Sequence, residues 1–228
     1  MKSSLKVRSI IYCLTILSSV LQFPPIASAR NSEPQLELTL LVFNYTRLSS
    51  IEIREIRARV AFVFEHAGIR INWLSCRPVP KHQSVPAACQ QPPGPSQLAI
   101  RLLDHTFDRE TDLAHTILGL SFASETGGSL ATLSCDAVRR FARGNRTLEV
   151  SFLGHAIAHE IGHLLLGTGA HCNEGIMKAR WDSGDLRQIE AARQGLLFPG
   201  EQARNLRMSL AARQKSARSD QAATGARQ

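Results

Sequence analysis

The order of apolar and polar residues in the first half of the chain predicts three strands and one helix. Residues 36 to 44 (LELTLLVFN) combine alternation with a continuous apolar run, as a largely buried strand does. Ser49 and Glu52 have the spacing of a capping box that begins a helix, and a glycine ends it. One face of this helix is apolar: Ile53, Ile56, Val60, Phe64 and Ala67. Residues 69 to 76 and 98 to 103 predict two further strands, on either side of a proline-rich loop.

The centre of the chain predicts a hairpin followed by a long buried helix. Residues 118 to 122 and 129 to 134 indicate two short strands, joined by a turn that contains two glycines. Residues 136 to 142 predict a short helix. From about residue 149 to residue 166 the chain is apolar on nearly every side, which is typical of a helix buried in a core. Histidines and one glutamate are the main polar interruptions of that helix.

The C-terminal part predicts two surface helices and a tail. Residues 183 to 194 and 201 to 214 have the composition and spacing of surface helices. Residues 215 to 228 are rich in Ala, Arg, Ser and Gln, so we expect a disordered basic tail there. Residues 30 to 214 are then expected to form a single domain.

The N-terminus has the pattern of a cleavable signal peptide over residues 1 to 29. Basic residues precede the apolar stretch 10 to 20, and Ala27-Ser28-Ala29 supplies the small residues of a cleavage site. The alternative is a membrane anchor, but serines, a glutamine and two prolines interrupt the segment before it reaches the roughly 20 apolar residues of a span. We therefore expect a secreted or periplasmic protein that begins at Arg30 and does not associate with a membrane after processing.

The charge of the chain does not indicate nucleic-acid binding. The formal net charge is +8, but much of it lies in the signal segment and in residues 201 to 228, which leaves the region between them nearly neutral. A basic end without interleaved aromatic residues is usually a solvated tail. We expect a peptide or protein partner and no nucleic acid, while the sequence leaves the oligomeric state open.

The cysteines suggest disulfides. Removal of the signal leaves Cys76, Cys89, Cys135 and Cys172, an even number in an oxidising compartment. Cys76 and Cys89 lie at either end of a proline-rich loop, so we expect these two to pair, which leaves Cys135 to pair with Cys172. Free buried thiols remain the alternative for the second pair.

The buried helix contains a metal-binding pattern, His159-Glu160-Ile161-Gly162-His163. Histidines four residues apart share one face of a helix, where both can bind a single cation, and zinc is the metal most suited to them. Glu160 can reach a water at such a site and accept its proton. The alternative is a chance occurrence of the pattern, but these polar groups in an apolar helix would cost several kcal/mol without partners.

A third ligand must come from outside the helix. Gly167-Thr168-Gly169 ends the helix and turns the chain just before His171, which we predict to be this ligand. Glu190 on the following helix is the alternative ligand. His155 lies four residues before His159, and we expect it to serve in packing.

Together these features resemble the metzincin clan of zinc peptidases, whose motif HExxHxxGxxH is followed by a methionine turn. The resemblance implies that His159, His163 and His171 bind zinc, that Glu160 is the general base and that Met177 forms the floor of the site. It also implies an α+β fold, with a mixed twisted sheet of about five strands, a long helix, an active-site helix and C-terminal helices. This chain departs from the motif, because the third histidine comes eight positions after the second instead of six.

The function expected from the sequence is that of a secreted zinc-dependent endopeptidase. The resemblance implies that an extended peptide binds beside an edge strand, for which residues 118 to 122 are the candidate. Two alternatives stay open: an exported protein with a structural zinc ion and no activity, and a disulfide-stapled domain with an accidental HEIGH sequence.

Overall fold

The computed structural model of the protein describes residues 36–77, 84–105, 118–191 and 195–225. The predicted signal peptide and its cleavage site lie outside these ranges. Five strands pair in one sheet: β1 (Leu36–Asn44), β2 (Ile69–Ser75), β3 (Gln97–Leu103), β4 (Gly119–Ser124) and β5 (Gly127–Ser134). Five α-helices accompany it: α1 (Ser50–His66), α2 (Cys135–Phe141), α3 (Arg146–Leu166), α4 (Ser183–Glu190) and α5 (Gly200–Gly225). The α+β fold with a mixed five-stranded sheet is thus confirmed.

The sheet has the strand order β2-β1-β3-β5-β4. All neighbours are parallel except β4, which runs antiparallel to β5. The turn between β4 and β5 contains Gly127, whose φ of 106° favours glycine. The pairing of the two strands is irregular near this turn, because the register shifts between Phe122 and Ala123. Within the described residues β4 is therefore an edge strand, as the sequence predicted for this segment.

The helices begin where the sequence provides caps. Ser49 accepts a hydrogen bond from the backbone N–H of Glu52, whose carboxylate accepts one from the Ser49 N–H, so the capping box predicted for α1 is confirmed. Asn145 caps α3 by accepting from the Leu148 N–H at 3.1 Å. This cap begins α3 a little before residue 149, because the side chain satisfies an N–H that the helix leaves unpaired.

Helix α3 occupies the centre of the core. It contacts α1, α2, α4, α5, β4 and β5, which explains why apolar residues surround it on nearly every side. Most of the core lies between this helix, α1 and the sheet, with Phe64, Phe152 and Leu133 among the fully buried side chains. No helix in the described ranges combines the length and the apolar character that crossing a membrane requires.

The predicted disulfides are half right. Cys76 and Cys89 form the expected bond and close the proline-rich loop. The prediction of a second bond was wrong, because Cys135 and Cys172 are both free. Cys135 is 1% exposed at the start of α2, where burial raises the pKa of its thiol to about 12, whereas the partly exposed Cys172 thiol donates to the Glu174 carbonyl at 2.9 Å.

The prediction of a disordered tail from residue 215 was also wrong, since α5 continues to Gly225. Good helix formers such as Ala, Arg, Lys and Gln fill this segment. The helix is also tied to the domain, because Gln214 donates to the Glu37 carbonyl at 3.1 Å and Ser209 donates to the Leu165 carbonyl at 2.6 Å. These contacts hold the first half of the helix against the domain, and the helix formers after residue 214 continue it.

Candidate metal centre

Helix α3 brings two histidines together on one face. His159 and His163 are one helical turn apart, and their Nε2 atoms lie 3.1 Å from each other. Both side chains are partly buried at the cleft between α3 and the edge strand β4. The two rings therefore lie on the same face of α3, as the sequence predicted.

His171 joins the pair from the turn that follows α3. Its Nε2 atom lies 3.1 Å from the Nε2 atom of His163. Gly167 ends the helix with a φ of 90°, and a Cβ atom there would collide with the Glu125 carbonyl. The turn therefore needs glycine at this position, and it delivers the third imidazole to the same point as the first two.

The three rings form a cluster with the size of a metal site. Their ligand atoms all lie within 4.8 Å of one another. Three nitrogens bound to one tetrahedral zinc ion at about 2.0 to 2.1 Å lie roughly 3.3 Å from one another, close to the two separations of 3.1 Å. The cluster is therefore compact enough for its three imidazoles to hold one metal ion.

Backbone carbonyls fix the orientation of two of the rings. The Nδ1 atom of His159 lies 2.8 Å from the Ile176 carbonyl, and that of His163 lies 3.4 Å from the Gly167 carbonyl. Since a carbonyl only accepts, each Nδ1 carries the proton and each Nε2 keeps its lone pair for a metal ion. Burial also lowers the pKa of His159 to about 4, so this ring is neutral at physiological pH.

A tight turn after His171 supports the cluster from below. The Cys172 N–H donates to the Met177 carbonyl at 3.1 Å, and Gly175 has a φ of 65°. Met177 is fully buried and lies against Gly162, where a Cβ atom would collide with the Met177 sulfur. This turn therefore packs Met177 against α3 at Gly162, next to His163 in the chain, and it presents the Ile176 carbonyl to His159.

Glu160 follows the first histidine and is held against the edge strand. Its side chain is 8% exposed, and the Ser121 hydroxyl donates a hydrogen bond to its carboxylate. Burial raises the pKa of Glu160 to about 7, although the hydrogen bond from Ser121 opposes this rise. Gly119 leaves room for the carboxyl group, since a Cβ atom there would lie 2.5 Å from Oε1.

The cluster opens into a cleft of about 1370 Å³, which α2, α3, β4 and the segment after Met177 line. One wall of the cleft is aromatic. Trp181 meets His159 edge-on at 5.8 Å between ring centroids, and Phe152 meets Trp181 at 5.1 Å. Trp181 also donates to the Ile176 carbonyl at 3.1 Å, which fixes its ring beside the histidines. The cleft can therefore hold an extended ligand next to Glu160.

Two other candidates lie outside the cluster. Glu190 is exposed and accepts a hydrogen bond from Asn145 at the start of α3, about 20 Å along the helix from His159. The structure thus does not bring this alternative ligand to the site. His155 is fully buried, and both ring nitrogens bond to backbone groups of Ser151 and Leu196, which agrees with the packing role predicted from the sequence.

Sequence reasoning missed the residues of β4 that position Glu160. Ser121 and Gly119 lie about forty residues before Glu160 in the chain, and neither belongs to a motif. A lone serine and a lone glycine in a short strand give no local signal of such a contact. The same holds for the Ile176 carbonyl, which no side-chain pattern reveals.

Comparisons with known proteins show similarity at the level of the fold. Neither a protein-family model nor a curated protein sequence matches this chain. Among solved structures, the fold is similar to the crystal structure of archaemetzincin from Methanopyrus kandleri, at 16% sequence identity and a TM-score of 0.46. The similarity covers 77% of this chain and 96% of that chain. The choice of metal and reaction therefore depends on the geometry of the histidine cluster and of Glu160.

Proposed function

We propose that this protein is a secreted zinc-dependent endopeptidase with His159, His163 and His171 as metal ligands and Glu160 as general base. One observation carries the proposal: three imidazoles converge on one point beside a buried carboxylate, inside a cleft. A catalytic zinc site uses three protein ligands and keeps one position open, whereas a structural site usually has four. The cluster of three histidines fits the first kind of site.

The donor set fits zinc better than the other common metals. Neutral imidazole nitrogen suits zinc, while calcium and magnesium prefer oxygen ligands. When bound, zinc supplies Lewis-acid activation of water and of the substrate carbonyl. The protein supplies the rest: the two carbonyls that orient the rings of His159 and His163, and the buried carboxyl group of Glu160.

Glu160 moves the proton in this proposal. Its carboxylate takes a proton from the attacking water and later delivers it to the nitrogen of the leaving amine. A carboxyl group whose pKa is near 7 can both accept and release a proton at neutral pH, and the positive charge of a bound metal lowers this pKa towards the carboxylate form. Ser121 holds the carboxyl group in place during both transfers.

The edge strand β4 supports binding of an extended peptide. Leu120 and Phe122 are exposed on this strand, at 44% and 57%. Within the described residues the outer side of β4 has no strand beside it, so its backbone groups can pair with an extended substrate. Gly119 and Ser121 contact Glu160 from the same strand, which would place a paired peptide next to the base.

The proposal also includes export of the protein from the cytoplasm. The basic start, the apolar stretch 10–20 and Ala27-Ser28-Ala29 support cleavage of a signal peptide. The Cys76–Cys89 disulfide fits an oxidising compartment. Sequencing of the mature N-terminus tests this part, with Arg30 as the expected first residue.

The decisive experiment compares wild-type protein with the E160Q variant. Both proteins should bind one zinc ion, because the substitution leaves the three imidazoles in place, but hydrolysis of an unfolded protein should fall at least about 10²-fold in E160Q. Chelation should abolish the wild-type activity, and zinc should restore it. An E160Q variant that cleaves as wild type does would contradict the mechanism. Zinc binding without any hydrolysis by wild type would favour the non-enzymatic alternative.

A further inference from the structure

Three arginines border the cleft beside the histidine cluster: Arg140, Arg143 and Arg180. All three are exposed, and none forms an ion pair with a described residue. The fourth cation at the cleft, Lys178, donates to Asp182 and Asp185 at 2.7 and 2.6 Å, so the protein itself balances its charge. Glu160 is the only acidic residue among the described residues that line the cleft. The cleft therefore carries a positive charge that the protein leaves unbalanced.

Two arginines close to these three in the chain form ion pairs with acidic residues of the protein. Arg139 contacts Asp104, Asp136 and Glu149, although it directly precedes Arg140. Arg146 likewise pairs with acidic residues. On α2 and in the turn after it, the two arginines that line the cleft, Arg140 and Arg143, are the ones without an ion pair to a described residue, and Arg180 lies on the other wall.

Arg143 adds a second indication. Its φ is 49°, in the left-handed region that favours glycine, and it directly precedes Gly144. The backbone of this turn would be less strained with glycine at position 143. Arginine is therefore not the residue that this backbone conformation favours, and its side chain lines the cleft.

A short aromatic path connects the arginines to the metal centre. The path runs from His159 to Trp181, Phe152 and Phe141, through ring contacts of 5.8, 5.1 and 4.5 Å. Arg180 directly precedes Trp181 at the near end, and Arg140 directly precedes Phe141 at the far end. About four residues of an extended peptide, at roughly 3.4 Å each, cover this distance.

We propose that this path is a subsite that selects acidic side chains of the peptide substrate, on one side of the cleaved bond and within about four residues of it. The proposal rests on the proposed peptidase function and names its substrate class. The exposed ring of Phe141 and the partly exposed ring of Trp181, supported from below by the buried Phe152, pack against the apolar stem of a glutamate. The planar guanidinium groups bind its carboxylate through two parallel hydrogen bonds. Arg180 binds acidic side chains at the positions next to the cleaved bond, whereas Arg140 and Arg143 bind those at the more distant positions.

The test uses the zinc-loaded full-length mature protein and peptides that differ at one position. Glu, Gln or Lys is placed at each of four positions on either side of the cleaved bond, and kcat/KM is measured. Glutamate should be favoured over glutamine roughly 5- to 20-fold, on one side only. R140Q/R143G should remove the preference at the distant positions, and R180Q at the near ones. R54Q/R57Q is the matched control, since Arg54 and Arg57 are exposed on α1, away from the cleft.

A second measurement separates this proposal from the peptidase function. Binding of the same peptides to the zinc-loaded E160Q protein is measured by calorimetry, with and without the arginine substitutions. The subsite is supported if the glutamate peptides bind more tightly than the glutamine peptides, and if this difference disappears in R140Q/R143G or R180Q but remains in R54Q/R57Q. This result supports the subsite even if the wild-type protein cleaves no peptide. Cleavage with equal kcat/KM for Glu and Gln peptides overturns the subsite and leaves the peptidase standing. An unchanged preference in the arginine variants also overturns it.

Discussion

Gly119 gives the sharpest test of the place that Glu160 occupies. A Cβ atom at position 119 would lie 2.5 Å from the Oε1 atom of Glu160 and 2.7 Å from both Cδ and Cγ. Ordinary contacts between such atoms begin at about 3.5 Å, so the carboxyl group of a G119A variant must move by about 1 Å. Ser121 and the surrounding burial oppose that movement, because the carboxyl group is hydrogen-bonded and only 8% exposed.

We expect G119A to lose activity far more than stability. A displacement of about 1 Å at a reacting group costs roughly 10²-fold in rate. Crowding costs about 1 to 3 kcal/mol of stability, which the replacement of a strand glycine offsets by about 0.5 to 1 kcal/mol. In a domain of this size the remainder lowers Tm by only a few degrees. Zinc content should be unchanged, since Gly119 contacts Glu160 and not the three histidines.

The assay measures kcat/KM, bound zinc and Tm for G119A beside G169A. Gly169 is the matched control, because a Cβ atom there meets nothing within 4 Å, although the residue lies in the turn before His171. If G119A were as active as G169A, the carboxyl group would not act from the position that the structure gives it. A joint loss of zinc and activity would show that the damage extends beyond Glu160.

Three further predictions follow from the rest of the site and the core. H171A should lose zinc affinity and activity together while E190A keeps both, as measured by metal titration; the opposite result would exchange their roles. Burial lowers the pKa of His155 in the folded protein from 6.5 to about 4, so the unfolded chain takes up a proton at a higher pH than the folded protein does. The free energy of unfolding therefore falls as the pH drops from 6.5 to 4, and at pH 5 the loss is about 2 kcal/mol. Denaturant unfolding at pH 7 and pH 5 should show this loss, and H155Q should show less of it. Thiol titration of the unfolded mature protein should find Cys135 and Cys172 free, whereas a titre of zero would restore the second disulfide.

The sequence predicted the elements whose signals are local. The capping box at Ser49 and the apolar face after it determine α1 without help from the rest of the chain. Helix α3 was predicted for a similar reason, because it is apolar all round and therefore buried. The two histidines of that helix followed directly from its period.

Two of the errors concern contacts between distant residues. The Cys135–Cys172 disulfide was inferred from the number of cysteines, but pairing requires two Cβ atoms within about 4 Å, which a count does not test. The C-terminal helix was cut short because the composition after residue 214 was interpreted as that of a disordered tail, although Ala, Arg, Lys and Gln are good helix formers. Ser121 was missed because β4 meets Glu160 only in the folded sheet.

The ring of His171, the predicted third ligand, lies beside the other two histidines although its spacing is longer than that of the metzincin motif. The extra residues fall in the turn after Gly167, where the cost of lengthening grows slowly: doubling a loop costs only about 0.6 kcal/mol. Thr168 is tied to the edge hairpin, because its N–H donates to the Ser124 carbonyl at 3.2 Å. Gln202 of α5 donates to the Ala170 carbonyl at 2.8 Å, directly before His171.

Helix α5 therefore supports the histidine cluster as well as the core. Arg213 donates to the Leu164 carbonyl at the end of α3 and, at 3.0 Å, to the Gly128 carbonyl in the hairpin. These bonds join the last turn of the histidine helix to the strands that hold Glu160. The bond from Gln202 to the Ala170 carbonyl holds the turn that carries His171 against α5. The longer turn can therefore hold His171 beside His163, because the C-terminal helix adds hydrogen bonds to the turn and to the end of α3.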